Sequence, residues 1–380
     1  MDAIPFYLHD LGAAELECVA RVLAGPILTT GDTVREFEEQ FAGFLGRKHA
    51  IAVTSCTGAL HMSLLALGIG PGDEVITTPM TFIASSTAVL EAGARPVFVD
   101  VEPDTGLLDA RLLEAAITPR TKAVLPVHLY GQLCDMRAIR EIADRHGLRV
   151  VEDAAHCIEG ERDGVRPGQL GDTACFSFYA TKNLTCGEGG AVVTDNDTLA
   201  ERLRLFRLHG MTKTAADRFR EGYTHWDMVE LGWKYNMDNI HAALLLPQMS
   251  RLNDNWRRRA ELAQRYQERL AGLSGLSWPQ TRANSRSSWH LFPVWITNGR
   301  RDAIIAGLQA DGISTMVNYR AIHLLTYFTA TLGYRRGDFP VAEGLGEATL
   351  SLPFYPTMPN RHVDRVARSL SDVLEVAIQV

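Results

Sequence analysis

A lysine, a carboxylate and a cluster of small hydroxyl residues stand at the ends of apolar stretches in this 380-residue chain. Lys182 lies in FSFYATKN (176–183), just past the apolar run ACFSFYA (174–180). Asp153 ends LRVVED (148–153), and a carboxylate directly after a buried strand is costly to desolvate unless a cation or several donors meet it. In TSCTGALH (54–61), Ser55, Thr57 and Gly58 occupy a strand-to-helix turn. The free N–H groups of a helix N-terminus, with hydroxyls beside them, suit a phosphate. Each segment also has a plainer reading: Lys182 as a solvated charge, Asp153 as a helix cap or magnesium ligand, Ser55 or Thr57 as a simple N-cap. Together, a phosphate cradle, a buried carboxylate and a lysine on one sheet edge are the parts of a pyridoxal-phosphate site. There the lysine forms a Schiff base with the cofactor and the acid partners the pyridinium nitrogen. The lysine must act as a neutral amine, although its reference pKa is about 10.4, so its surroundings must disfavour the charge. The acid keeps the ring nitrogen protonated, because an opposite charge at close range shifts a pKa by about 1–3 units.

Other chemistries find less support. No G-x-x-x-x-G-K-[ST] occurs, and the G-I-G-P-G run at 68–72 follows a helix rather than a strand, so nucleotide-binding loops of those types are excluded. His156 follows Asp153 closely, but no H-E-x-x-H or Cys/His cluster with ligand spacing accompanies it, and no metal is expected. Gly187, Gly189 and Gly190 read as a reversal into the next strand.

The elements that must position these residues alternate between two hydrophobic periods. HAIAVT (49–54) reads as a buried strand and TGALHMSLLALG (57–68) as a helix, with Leu60, Leu64 and Leu67 on one stripe. DEVITT, RPVFVD, KAVLPVHL, LRVVED, ACFSFYA and GAVVTD (190–195) repeat the strand pattern, separated by helical segments such as FIASSTAVLEAG and MRAIREIADRHG. This predicts an α/β protein with a mostly parallel sheet sandwiched by helices and joined by right-handed crossovers. Ligands of such sheets bind at the carboxyl ends of the strands. Residues 237–271 read as one long helix, capped by Asn236 or Asp238, kinked at Pro247 and acting as a hinge. Beyond it, strands at 287–296 and 313–319 and helices at 301–312 and near the end, with Val363, Val366, Leu370 and Leu374 on one face, predict a smaller α+β domain. The expected division is 1–250 for the large domain and 251–380 for the small one.

Composition sets the frame. Hydrophobic residues make up 46% and charged residues 22%, as in an ordinary globular protein. The net charge of −7 and the lack of a Lys/Arg stripe argue against a nucleic-acid partner. Six cysteines without a C-x-x-C pair do not make a disulfide scaffold. Neither a signal peptide nor a run of about 18 apolar residues is present, so a cytoplasmic protein with no membrane partner is expected.

ILTTG (27–31), GDEVITTPMTFIAS (72–85), VEDAAH (151–156), FSFYATKN (176–183), GEGG (187–190), GWKYNMDNIHAAL (232–244) and SLPFYPTM (351–358) occur in the order found in one family. Through them the chain resembles the DegT/StrS sugar aminotransferases, which have the aspartate-aminotransferase-like fold (type I) of pyridoxal-phosphate enzymes. KYNMDNIHAAL and YRAIHLLTYF look most like the branch that aminates nucleotide-linked 4-keto sugars. The resemblance implies pyridoxal phosphate as cofactor, glutamate (or glutamine) as amino donor, a nucleotide-linked keto sugar as acceptor, and a homodimer with a shared site. It implies that Lys182 is the Schiff-base lysine and proton shuttle, and Asp153 the pyridinium partner. His156 would lie near the ring and its phenolic oxygen. Phe82 would stack on the ring, though plain core packing would also explain it. Thr57, Gly58 and Ser177 would cradle the phosphate, and Asn236 would reach the partner subunit's phosphate from a helix N-terminus. Thr30, Tyr319 and His323 lie in segments that contact the sugar in relatives. Many members carry Arg where Asn236 stands, and a smaller residue where Pro247 stands. One branch replaces the lysine with histidine and dehydrates its sugar, which Lys182 argues against. A lyase or dehydratase on the same cofactor, and a non-catalytic module, are the remaining readings.

Overall fold

Side chains of the strand His49–Val53 alternate between two cores, Ile51 and Val53 on one face and Ala50 and Ala52 on the other, as a period of two requires. Both faces are buried, so the strand needs no polar side, and the same holds for its neighbours. The computed structural model describes residues 2–213, 217 and 225–379. Its central sheet has seven strands in the order His49–Val53, Gly190–Thr194, Thr173–Ser177, Arg149–Asp153, Thr121–Val124, Glu74–Thr77 and Arg95–Phe98. The last five are mutually parallel. Gly190–Thr194 runs antiparallel to both of its neighbours. Helices cover both faces, as expected. Cys56–Ala66, Ala84–Glu91 and Met136–His146 pack on one, while Asp32–Leu45 and Asn239–Met249 cover the other through Phe37, Phe41, Ala242 and Leu245.

A third core lies in the C-terminal part. A three-stranded antiparallel sheet, Thr349–Leu352, Phe292–Ile296 and Leu276–Ser277, packs with helices Leu252–Leu270, Arg301–Ala310 and Asn360–Gln379. The predicted stripe of Val363, Val366, Leu370 and Leu374 is buried there. Ile4 joins the same core, held by a hydrogen bond to the Gly312 carbonyl.

Two sequence expectations need correction. Residues 237–271 form two helices rather than one, Asn239–Met249 and Leu252–Leu270. Pro247 sits inside the first, and the break comes at Ser250–Arg251. The break follows from packing: Leu245 belongs to the core under the large sheet, whereas Leu262, Tyr266 and Leu270 belong to the C-terminal core. Arg251 is anchored at the break by Asp10 and Glu15. Nor do residues 313–319 form a strand; they make only single bridges, Ile313 to Ile4 and Met316 to Ser351.

One glycine fixes how the sheet meets its first helix. Gly190 pairs with both Val53 and Ser177, so three strands end in one row. A Cβ on Gly190 would lie 2.5 Å from the Ser55 carbonyl carbon and 2.6 Å from the Cys56 nitrogen, both backbone atoms. Gly190→Ala is therefore expected to cost about 1–3 kcal/mol through overpacking, and to lower the thermal midpoint by a few degrees. A wild-type melting curve would contradict this close approach.

Candidate active site

Asp153 and Ser177 end adjacent parallel strands, with Asp153 opposite Cys175. Asp153 is almost wholly buried, and donors meet both carboxylate oxygens. Ser85 Oγ donates to Oδ2 at 2.7 Å, and the Ala155 N–H donates to Oδ1 at 3.1 Å. The Cys56 thiol lies 4.0 Å from Oδ1. No group of three or more His, Cys, Asp or Glu able to hold a metal ion occurs among the described residues.

Past Ser177 the chain turns back on itself. Lys182 N–H donates to the Tyr179 carbonyl, Cys186 N–H to the Phe178 carbonyl, and Phe178 N–H to the Gly189 carbonyl. This brings Lys182 near Asp153 and Cys56. Burial is the larger influence and lowers the lysine to about 8. Cys56 is itself pushed up by burial and by the Asp153 charge, so it is a neutral thiol near pH 7. The counter-charge that Lys182 meets is that of Asp153.

His156 is packed against His290, with ring centroids 4.4 Å apart, and stacked on Tyr319 at 6.0 Å. Burial, then the nearby Lys182, holds it well below the ordinary histidine value. The Tyr130 N–H points at Nδ1 from 3.3 Å, so that nitrogen accepts and Nε2 carries the proton, 3.2 Å from the Tyr319 hydroxyl. Phe82 is 52% exposed, which rules out plain core packing for it, and its ring centroid lies 5.6 Å from that of Tyr319.

At the turn between the strand His49–Val53 and the helix Cys56–Ala66, Ser55 is the N-cap and its Oγ accepts from Gly58 N–H at 3.0 Å. That capping leaves the first two helical N–H groups, of Cys56 and Thr57, for an outside acceptor. Ser177 Oγ accepts from Tyr179 N–H at 3.3 Å, and Ser177 pairs with Gly190 in the row that also contains Val53. Thr57, Gly58 and Ser177 thus share one sheet edge with Asp153. A half-buried, readily neutralised amine, a fixed carboxylate, an exposed aromatic face and a helix N-terminus beside hydroxyls fit pyridoxal phosphate.

The outer residues are placed differently from expectation. Asn236 is not at a helix N-terminus, because the helix starts at Asn239 with Asp238 as its cap. The Asn236 amide donates to Thr30 Oγ1 at 2.7 Å and accepts from Lys234 Nζ at 2.6 Å, and its backbone bridges to Val53. Thr30 in turn donates to the Met237 carbonyl. His323 is wholly buried and pairs with Glu343 at 3.0 Å.

Several participants escaped the sequence reading. Ser85 and its partner Thr81 sit four apart in TFIAS, a spacing that puts two hydroxyls together at a helix start. His290 hydrogen-bonds Asn183 beside the lysine, and Asn183 contacts Glu159, which pairs with Arg259. A buried arginine on the apolar face of Leu252–Leu270 was the available signal for that pair.

A sequence model described as the DegT/DnrJ/EryC1/StrS aminotransferase family matches residues 9–371. The chain is 42% identical to the spore coat polysaccharide biosynthesis protein SpsC of Bacillus subtilis (strain 168), over 98% of both chains. It is 40% identical to S. venezuelae DesV, solved in complex with a ketimine intermediate, with a TM-score of 0.90 over 99% of each chain. Against DesI, solved in the presence of its TDP-sugar product, identity is 32% and the TM-score 0.89, over 100% of this chain and 96% of that one. Solved neighbours also include one sugar aminotransferase described in its PLP and PMP forms.

The lowered lysine has a direct readout. In the cofactor-free protein, acylation of Lys182 followed by peptide mass spectrometry should titrate with a midpoint near 8. A midpoint at about 10 or above, the range of a solvated lysine, would contradict the burial of its ammonium.

Proposed function

We propose, from the premise that the chain belongs to the DegT/DnrJ/EryC1/StrS aminotransferase family, that it transfers the amino group of glutamate to a nucleotide-linked keto sugar, at the 4-keto position. Sugar aminotransfer and pyridoxal phosphate come with the family. The donor, the nucleotide and the ring position are the proposal's own. The observation that carries it is Lys182, lowered to about 8 by burial and carried toward the Asp153 carboxylate by the loop that follows the neighbouring strand Thr173–Ser177. The TDP-sugar product of DesI supports a nucleotide-linked acceptor.

When bound, the cofactor supplies an electron-accepting ring that lets the carbon bearing the amino group give up a proton. The chain's residues divide the remaining work. Lys182 would hold the cofactor through its side-chain amine and, in its neutral form, would take up and return the proton that the donor carbon gives up. An amine lowered to about 8 has a sizeable neutral fraction near neutral pH, which both tasks require. Asp153 would favour a protonated ring nitrogen, Phe82 would offer its exposed face to the ring, and neutral His156 would serve the side of the phenolic oxygen. Thr57, Gly58 and Ser177, with the free N–H groups of Cys56 and Thr57, hold the phosphate. Tyr319, hydrogen-bonded to His156, would face the incoming substrate. Asn236 reaches the phosphate in a second copy of the chain, with Thr30 orienting its amide. A homodimer in the cytoplasm, with no membrane or nucleic-acid partner and with units divided at 1–250 and 251–380, belongs to the same proposal. Among the described residues no helix is long and apolar enough to cross a membrane.

The test is amination of nucleotide-linked keto sugars with glutamate as donor, counting 2-oxoglutarate. One 2-oxoglutarate per amino sugar supports the reading, whereas sugar conversion without it points to the dehydratase chemistry. Lys182→Ala should lose at least about 10²–10⁴-fold in turnover, the range for a positioned acid–base group. Steady-state transamination at the wild-type rate by that variant would remove Lys182 from the mechanism.

A further inference from the structure

Ser85 and Thr81 adjoin the Asp153 carboxylate, and both are buried. Thr81 Oγ1 and Ser85 Oγ are 2.7 Å apart, and Ser85 Oγ is 2.7 Å from Asp153 Oδ2. An ionised carboxylate only accepts, so the single Ser85 proton points at Asp153. Ser85 Oγ must then accept the Thr81 proton, and the chain of donors runs one way, from Thr81 to Ser85 to Asp153. Hydrogen bonds aligned in this sense strengthen one another in a low-dielectric interior. The same turn carries Phe82 between the two hydroxyl residues, and the helix Ala84–Glu91 begins on it. One short segment therefore sets both an exposed aromatic face and the direction of the buried carboxylate.

We propose that Thr81 and Ser85 are positioning residues that keep Asp153 charged and aimed at the cofactor ring nitrogen, so that the shared proton stays on nitrogen. The inference rests on the reading of Asp153 as the ring partner. Without the Ser85 hydroxyl, Oδ2 lacks its donor, and the neutral arrangement, with the proton on the carboxyl and the ring nitrogen bare, becomes competitive.

The test uses the full-length protein loaded with pyridoxal phosphate labelled with ¹⁵N in its ring. In the wild type the ring nitrogen should give the resonance of a protonated pyridine near pH 7.5. In Ser85→Ala the resonance should move toward the unprotonated position, and the cofactor dissociation constant should rise about tenfold or more, as loss of a hydrogen bond to a charged group implies. Thr81→Val, which keeps the volume and removes the far hydroxyl, should show a smaller shift in the same direction, and it serves if Ser85→Ala fails to fold. Ser85→Thr keeps a hydroxyl and should stay close to wild type. A wild-type resonance in both Ser85→Ala and Thr81→Val would overturn the relay. So would Ser85→Thr moving as far as Ser85→Ala, which would mean that packing and not the hydroxyl matters. Asp153→Asn separates the two levels: a ring nitrogen still protonated there would remove Asp153 as its partner and end the parent reading as well.

Discussion

The parallel pairing of Arg149–Asp153 with Thr173–Ser177 is the constraint on which the site depends. It places a carboxylate at the end of one strand and starts, at the end of the next, the loop that brings a lysine back toward it. Backbone hydrogen bonds fix that register and, with the loop after it, the spacing of the two backbone positions. The antiparallel strand Gly190–Thr194 then ties Ser177 and Val53 into one row, which sets the first helix with its N-terminus at the same edge. Amine, acid and anion cradle are consequences of one sheet edge.

Two electrostatic influences compete at Lys182. The Asp153 charge favours the ammonium, while burial opposes it, and burial prevails. Had the carboxylate prevailed, the lysine would remain protonated and unreactive at neutral pH. The donors around Asp153 matter for this balance, because a carboxylate satisfied by Ser85 and the Ala155 N–H does not need to close on the lysine. Burial acts in the same direction on His156 and His290, which stay neutral and can pack ring to ring without charge repulsion.

Much of this was legible in the sequence. Apolar runs of strand length alternating with helical stripes identified the sheet, and the positions of Asp153 and Lys182 just after two such runs put them on one edge before any coordinates. Other features depend on contacts between distant residues. The partner of His323 is Glu343, 20 residues away on another helix, and only the fold brings the buried pair together. The stretch 313–319 has strand-like composition but finds only single bridging partners, at Ile4 and Ser351. The break at Ser250–Arg251 arises because two cores pull one helical sequence in different directions, while the obvious helix breaker, Pro247, is accommodated. Ser85 was hidden by its ordinariness, since a serine near a helix start usually caps that helix.

The central claim, that Lys182 and Asp153 form a working cofactor site, is tested most directly by the absorption spectrum of the purified protein before and after glutamate is added. A visible-wavelength cofactor band is expected, which glutamate replaces with a shorter-wavelength band as the amino group moves onto the cofactor. A cofactor band that glutamate leaves unmoved would contradict the proposed donor. The absence of any band, even after pyridoxal phosphate is supplied, would contradict the site itself.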